Sequence, residues 1–390
     1  MESRVMIVRE HEKIFSDDCP HFDELRNFAE AGDFFNLGWR YVQAKNYVGV
    51  IRLPSGFQIE ILPKLDAPNE KLRGLVVKML RTLKDFSCKK FLDAELDTAR
   101  LDLYEIFIEM YLEMVLDLVK RGLKSSYVVR EDNLKFFKGK LLVNENLRRN
   151  FAHRERFFVA FDEYSIDRPE HRLIKAALLK LRKNKLARRL LNYFDSVAAS
   201  KNYSKDFAAV SIDKTNREYQ AVMNWTKIFL RGESFTSFIG RAEALTLLFD
   251  MNKLFEAYVA EHIKKYFSDR FTVKIQAQEK FLFDEPRSFG LKPDIILENS
   301  AEKFILDTKW ELEISSGDMY QMFAYAKRYG AKKIFLLCPP QAEGNILYRS
   351  EDFAVQIFCV DLFEMENLRG LLNQRQENFF IGRIKIENAE

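Results

Sequence analysis

The sequence predicts an α+β protein of several regions: a β-rich start, a mostly helical middle and a C-terminal α/β domain. Three observations carry that expectation. Before residue 70, apolar and polar residues alternate with period two. From 71 to 235 the apolar residues recur mainly at helical spacing. After 236, short apolar runs suited to buried strands are interleaved with helical stretches. The regions are therefore drawn as 1–70, 71–235 and 236–390.

Residues 22–31 have the pattern of a short helix. Residues 40–53 read as a strand, Pro54-Ser55-Gly56 as a turn and residues 57–62 as a second strand, giving a hairpin with one wet face. Leu72, Leu75, Val76, Met79, Leu80 and Leu83 line one face of a helix over 69–86. A helix apolar on most sides runs over 103–121 and stops near Gly122, with basic residues in its last turn. Residues 127–130 and 136–141 read as strands around Glu131-Asp132-Asn133. Residues 146–156 carry Arg148, Arg149, His153, Arg154 and Arg156, a patch suited either to phosphates or to a solvated face. Residues 169–191 read as one long basic helix and 218–231 as another, and Gly232-Glu233-Ser234 offers a junction. Residues 242–266 then read as one helix, 271–278 and 280–283 as strands, and 284–290 as a loop. A helix over 318–329 and strands over 332–338 and 356–360 complete the order.

Composition excludes several classes. The net charge is only +4, so any nucleic-acid contact must come from local patches. Cys19, Cys88, Cys338 and Cys359 are widely spaced and form no C-x-x-C pair, which suggests neither a zinc site nor a disulfide framework. No window has the length and apolarity of a membrane span, and the start of the chain lacks a signal-type apolar region, so a cytoplasmic protein is expected. Gly139-Lys140 lacks the upstream glycine of a phosphate loop, so the chain has no nucleotide-hydrolysing motif.

The chemistry concentrates in one stretch. Ile295-Ile296-Leu297 and Phe304-Ile305-Leu306 are apolar runs separated by Glu298-Asn299-Ser300-Ala301-Glu302, which has turn composition. Folding this hairpin about Ser300-Ala301 sets Asp294 opposite Asp307, and Lys309 shares their face two residues on. Two carboxylates and an ammonium at the end of an apolar strand pair are costly to bury unless they bind a cation. Oxygen ligands with room for water suit Mg²⁺.

Pro293-Asp294 followed by Asp307-Thr308-Lys309 resembles the PD-(D/E)XK nuclease superfamily. That resemblance implies an α/β nuclease core in which Asp294 and Asp307 bind the metal and Lys309 serves the attacking water or the phosphate. It adds Glu256, on the preceding helix, as a third acidic member of the metal shell. Gln321, early on the following helix, is a candidate to orient substrate or water. A depressed pKa is expected for a buried Lys309.

Phe249-Asp250-Met251-Asn252-Lys253-Leu254-Phe255-Glu256, Leu291-Lys292-Pro293-Asp294, Asp307-Thr308-Lys309-Trp310 and Asp318-Met319-Tyr320-Gln321-Met322 together resemble the McrC family. Tyr47-Val48-Gly49-Val50-Ile51, Ile61-Leu62-Pro63-Lys64, Phe137-Lys138-Gly139-Lys140-Leu141 and Asp162-Glu163-Tyr164-Ser165 extend the likeness upstream. The resemblance implies an Mg²⁺-dependent endonuclease subunit of a 5-methylcytosine-dependent restriction system. Its implied partner is a McrB-like AAA+ GTPase hexamer that recognises the methylated DNA, and self-association is expected within the assembly. The N-terminal part would enter the ring's pore and stimulate GTP hydrolysis, with the hairpin over residues 45–62 in the contact. Two alternatives are a stand-alone repair or recombination nuclease and a non-catalytic regulator of an AAA+ protein.

Overall fold

The computed structural model describes residues 5–83, 101–214, 216–231, 245–311, 313–340 and 345–372. Its first part is built from β1 (Val5–Arg9), β2 (Lys13–Phe15), α1 (Phe22–Ala31), β3 (Phe35–Leu37), β4 (Tyr41–Ala44), β5 (Tyr47–Arg52) and β6 (Gln58–Leu62). The stretch expected as one strand over 40–53 is two strands in different sheets. β4 joins β2 and β3, whereas β5 joins β6. β5 and β6 form the expected hairpin, pairing Gly49 with Ile61 and Arg52 with Gln58. It has no wet face: every residue of β6 is buried, including Glu60. Ile59 and Ile61 face the core formed with α1, while Glu60 on the other face is held by Arg73 Nε at 2.7 Å. A buried charge is tolerable there because a bidentate guanidinium meets it.

The middle part comprises α2 (Asn69–Thr82), α3 (Leu103–Arg121), β7 (Ser126–Leu134), β8 (Lys140–Leu141), α4 (Val143–Asn150), β9 (Phe157–Ser165), α5 (Pro169–Lys180), α6 (Lys185–Leu191), α7 (Tyr203–Ala209) and α8 (Tyr219–Arg231). The helix expected over 69–86 leaves helical geometry at Leu83, and 84–86 lie outside the described residues, as do Cys88 and the junction Gly232-Glu233-Ser234. The long helix expected over 169–191 is two. Asn184 breaks it by accepting hydrogen bonds from the N–H groups of Leu186 and Ala187 at the start of α6. Glu131-Asp132-Asn133, expected between two strands, lie within β7, which pairs with β9 over nine residues, from Ser126–Ser165 to Leu134–Phe157. Of the strand expected over 136–141 only Lys140–Leu141 forms, as β8. β7, β9, β8 and α4 thus form an arm with largely exposed side chains, whereas α3 and α8 lie in the main core.

The last part holds β10 (Leu245–Asp250), α9 (Met251–Phe267), β11 (Thr272–Ile275), β12 (Lys280–Asp284), β13 (Arg287–Leu291), β14 (Ile295–Glu298), β15 (Lys303–Thr308), α10 (Ser316–Tyr329), β16 (Lys333–Cys338), β17 (Ile346–Arg349) and β18 (Ala354–Cys359). Where one helix was expected over 242–266, residues 245–250 are a strand that completes the first sheet, in the order β1-β6-β5-β10. Gly49 admits it: φ is 136° there, and a Cβ would lie 1.9 Å from the Leu247 carbonyl oxygen. Asp250 then turns the chain into α9 by accepting from the Asn252 N–H. The loop expected over 284–290 contains the turn of a two-stranded hairpin, β12–β13.

A six-stranded mixed sheet in the order β11-β14-β15-β16-β18-β17 dominates this part. β15, β16 and β18 run parallel, and their near-continuous apolar runs are buried on both faces. α9 lies with one core cluster; α10, capped by Ser315 and ended by Gly330, lies with the other. Among the described residues, no helix is long and apolar enough to cross a membrane.

Candidate active site

The β14–β15 register is the one the sequence predicts. Ile295 pairs with Leu306 and Ile296 with Ile305, so Asp294 stands one step beyond the ladder, across from Asp307. The turn holds because Asn299 Oδ1 accepts from the N–H groups of Ala301 and Glu302. Asp294 is fixed by Thr308, whose backbone N–H and hydroxyl both donate to Asp294 Oδ2, at 2.8 and 2.6 Å. Asp307 is 3% exposed. Burial first, and the Asp294 charge second, push its pKa up to about 7, with Lys309 pulling the other way.

Lys309 follows the end of β15, tied by its N–H to the Leu337 carbonyl oxygen. Its ammonium lies 3.4 Å from Asp307 Oδ2 and 3.2 Å from Asp318 Oδ1, and donates to Gln321 Oε1 at 3.2 Å. The depressed pKa expected for this lysine is not found. Burial does disfavour its charge, but Asp307 and Asp318 together outweigh burial and raise its pKa above the ordinary lysine value. Gln321 is held in turn by donating to the Tyr325 hydroxyl at 2.9 Å.

Glu256 sits half-buried on α9. Its pKa is raised, by burial and then by Asp294, so it senses the same negative cluster. The structure therefore brings Asp294, Asp307, Lys309 and Gln321 into one contact network, with Glu256 electrostatically coupled at its edge. Three residues in or beside this network escaped the sequence reading. Asp318 closes the α10 capping box with Ser315 while holding Lys309; burial works against its charge, but these partners keep its pKa below the usual range. Gln276 donates to Glu256 Oε1 and accepts from Lys292 at 3.3 Å. Its backbone N–H donates to the Asp294 carbonyl oxygen at 2.7 Å, which sets that amide beside the site. Glu10 is the third: both its carboxylate oxygens lie 3.1 Å from Trp310 Nε1, and Oε2 also accepts from the Lys64 N–H.

Burial lifts the Glu10 pKa from 4.5 to about 7. A raised carboxyl pKa contributes stability that is whole below the unfolded value and is lost as pH rises through the folded one. The window is thus 4.5 to about 7, and the loss about 3 kcal/mol. Urea midpoints measured against pH should show Glu10→Gln losing less stability than wild type across this window. Parallel curves would refute the assignment.

Among the described residues, no three His, Cys, Asp or Glu side chains already stand as a metal cage. The donor set nevertheless fits Mg²⁺, which keeps several waters and commonly needs only one or two protein carboxylates. Asp307 and Glu256, whose pKa values are both raised by burial and then by the Asp294 charge, describe a site with excess negative charge that a cation would relieve.

A family model described as "McrBC 5-methylcytosine restriction system component" matches residues 42–339. One chain of a solved assembly of Thermococcus gammatolerans McrB AAA+ hexamers with bound McrC superposes with a TM-score of 0.72 at 20% identity, covering 95% of this chain and 99% of that one. A chain of a second structure, the McrBC complex of the same organism, gives 0.50 at 19% identity, covering 71% and 90%. No curated protein matches. The family match spans most of the chain and includes Glu256, Asp294, Asp307, Lys309 and Gln321, so the chain belongs to the McrC family of McrBC restriction system components.

Proposed function

We propose that the chain is the DNA-cleaving subunit of a McrBC-type system, a PD-(D/E)XK endonuclease that hydrolyses phosphodiesters with Mg²⁺. The observation that carries this reading is the buried Asp307 beside Asp294, bridged to a lysine held by three side chains. Asp294 and Asp307 would hold the metal, with Glu256 joining directly or through water. Bound Mg²⁺ supplies Lewis acidity toward the phosphate and lowers the pKa of a bound water. Lys309, kept cationic by its carboxylate partners, stabilises charge developing on the phosphate. Gln321 and Asp318 fix the direction of that ammonium, and Gln276 fixes Glu256. In this reading residues 236–390 carry the site, while 1–70 and 71–235 support the partner contact.

The relatives' assembly points to an AAA+ ring as partner. The hairpin over residues 45–62 is packed into the protein, so we assign the main contact to the β7–β9–β8 arm instead. Tyr127, Phe136, Phe137, Phe151 and Tyr164 are all well exposed there, Phe151 by 84%. Exposed aromatics distributed along one arm mark an interaction surface. Full-length chain, its AAA+ partner, GTP and Mg²⁺ should cut methylated DNA, and EDTA should stop the cutting. Cleavage that persists in EDTA would refute metal-dependent hydrolysis; cleavage at full rate without the partner would favour a stand-alone nuclease.

A further inference from the structure

We propose that Glu10 is a positioning residue for this site, setting Lys309 through the indole of Trp310. The proposal rests on the nuclease reading above and extends it to a residue near the other end of the chain. β15 ends at Thr308, so Lys309 stands beyond the strand, its backbone N–H donating to the Leu337 carbonyl oxygen at 2.9 Å. The residue that fixes its other side is Trp310, which is 1% exposed. The indole packs 5.3 Å from the Phe255 ring, the neighbour of Glu256, and Lys64 Nζ lies 5.8 Å from the ring centre. Its N–H is shared by both oxygens of Glu10, and the Glu10 N–H donates to the Leu62 carbonyl oxygen at 3.0 Å.

Glu10 therefore follows directly on β1 of the first sheet, is tied to β6 through Leu62, and grips the exit of the catalytic strand. The same sheet leads through β10 directly into α9 and Glu256. Lys309 and Glu256 are thus referenced to one frame from two sides. A hydrogen bond accepted from the indole inside a buried site is directional, and small misplacements of a catalytic group are costly in rate. A buried carboxylate is an expensive way to fill space; an apolar residue would fill it at less cost.

Cleavage kinetics of the full chain with its AAA+ partner, GTP and Mg²⁺ test this, using Glu10→Gln, Glu10→Leu and Trp310→Phe. Glu10→Leu and Trp310→Phe should each lower kcat about tenfold. KM for DNA, and Mg²⁺ affinity of the chain by calorimetry, should stay at wild-type values. Glu10→Gln, whose amide oxygen still accepts the indole N–H, should remain within about twofold of wild type. Glu60→Gln, which weakens the buried pair between β6 of the same sheet and Arg73 of α2, supplies the comparison: it should lower stability and leave kcat unchanged. Should Glu10→Leu fail to fold, Trp310→Phe reads the same contact with the ring kept. Folded Trp310→Phe turning over at the wild-type kcat overturns the positioning role while the nuclease reading stands. A wild-type chain that neither binds Mg²⁺ nor cuts DNA overturns the nuclease reading itself.

Discussion

Lys309→Ala should lower DNA cleavage by roughly 10²–10³-fold while leaving the protein folded, because the variant removes a preorganised cation from a site built around it. The ammonium is gripped by Asp307, Asp318 and Gln321, so little reorganisation is needed when charge develops on a phosphate. Without it, Asp307 and Asp318 lose their shared counter-ion. The fold should survive because the β15 backbone ladder and the Leu337 bond do not involve the side chain. Asp307→Asn makes the complementary case. It removes a proposed metal ligand and should cut at no more than a background rate. Yet it also removes a buried carboxylate repelled by Asp294, so its thermal stability at pH 8 should equal or exceed wild type. Loss of activity with retained stability would separate a functional carboxylate from a structural one. Wild-type cleavage by folded Lys309→Ala would sink the site assignment.

How much of this was legible in the sequence depended on how local the cause was. The Asp294–Asp307 opposition was legible because a short turn fixes the register, and Asn299 supplies the turn chemistry within three residues. Gln321 was legible because it is near the start of a well-marked helix. β10 was not: its helical pattern was overridden by the open edge of β5, some two hundred residues away, and the signal lay in Gly49 rather than in residues 245–250. Glu10 was invisible for a similar reason, since its partner Trp310 is three hundred positions distant. Gln276 looked like any polar residue at a strand end, and its use depends on an amide reaching across to α9. The wet face expected of the β5–β6 hairpin failed because alternation alone could not reveal that Glu60 would find Arg73.

That failure changes where the partner should touch, and leads to the second large effect. Phe136→Ser with Phe151→Ser should reduce stimulation of the AAA+ partner's GTP hydrolysis by roughly two orders of magnitude at sub-saturating chain. Two aromatic anchors at about 1.4 kcal/mol each, within the range found for interface residues that matter, give that loss. Neither side chain supports the fold: Phe136 is 60% exposed and Phe151 84%. The arm's own structure rests elsewhere, on the nine-residue β7–β9 pairing and on Asn150, whose amide bridges Asn133 and Asn146. The double variant should therefore melt within a degree or two of wild type. Its isolated chain should bind Mg²⁺ normally, since the carboxylates lie on β15, just before β14 and on α9, outside the arm. DNA cleavage in the presence of the partner should fall in step with GTP turnover, and excess chain should restore both if the loss is one of affinity. GTP turnover unchanged by the double variant would remove the arm from the contact. The next surface to test would be the small β2–β4–β3 sheet, where Phe15, Leu37 and Trp39 are exposed.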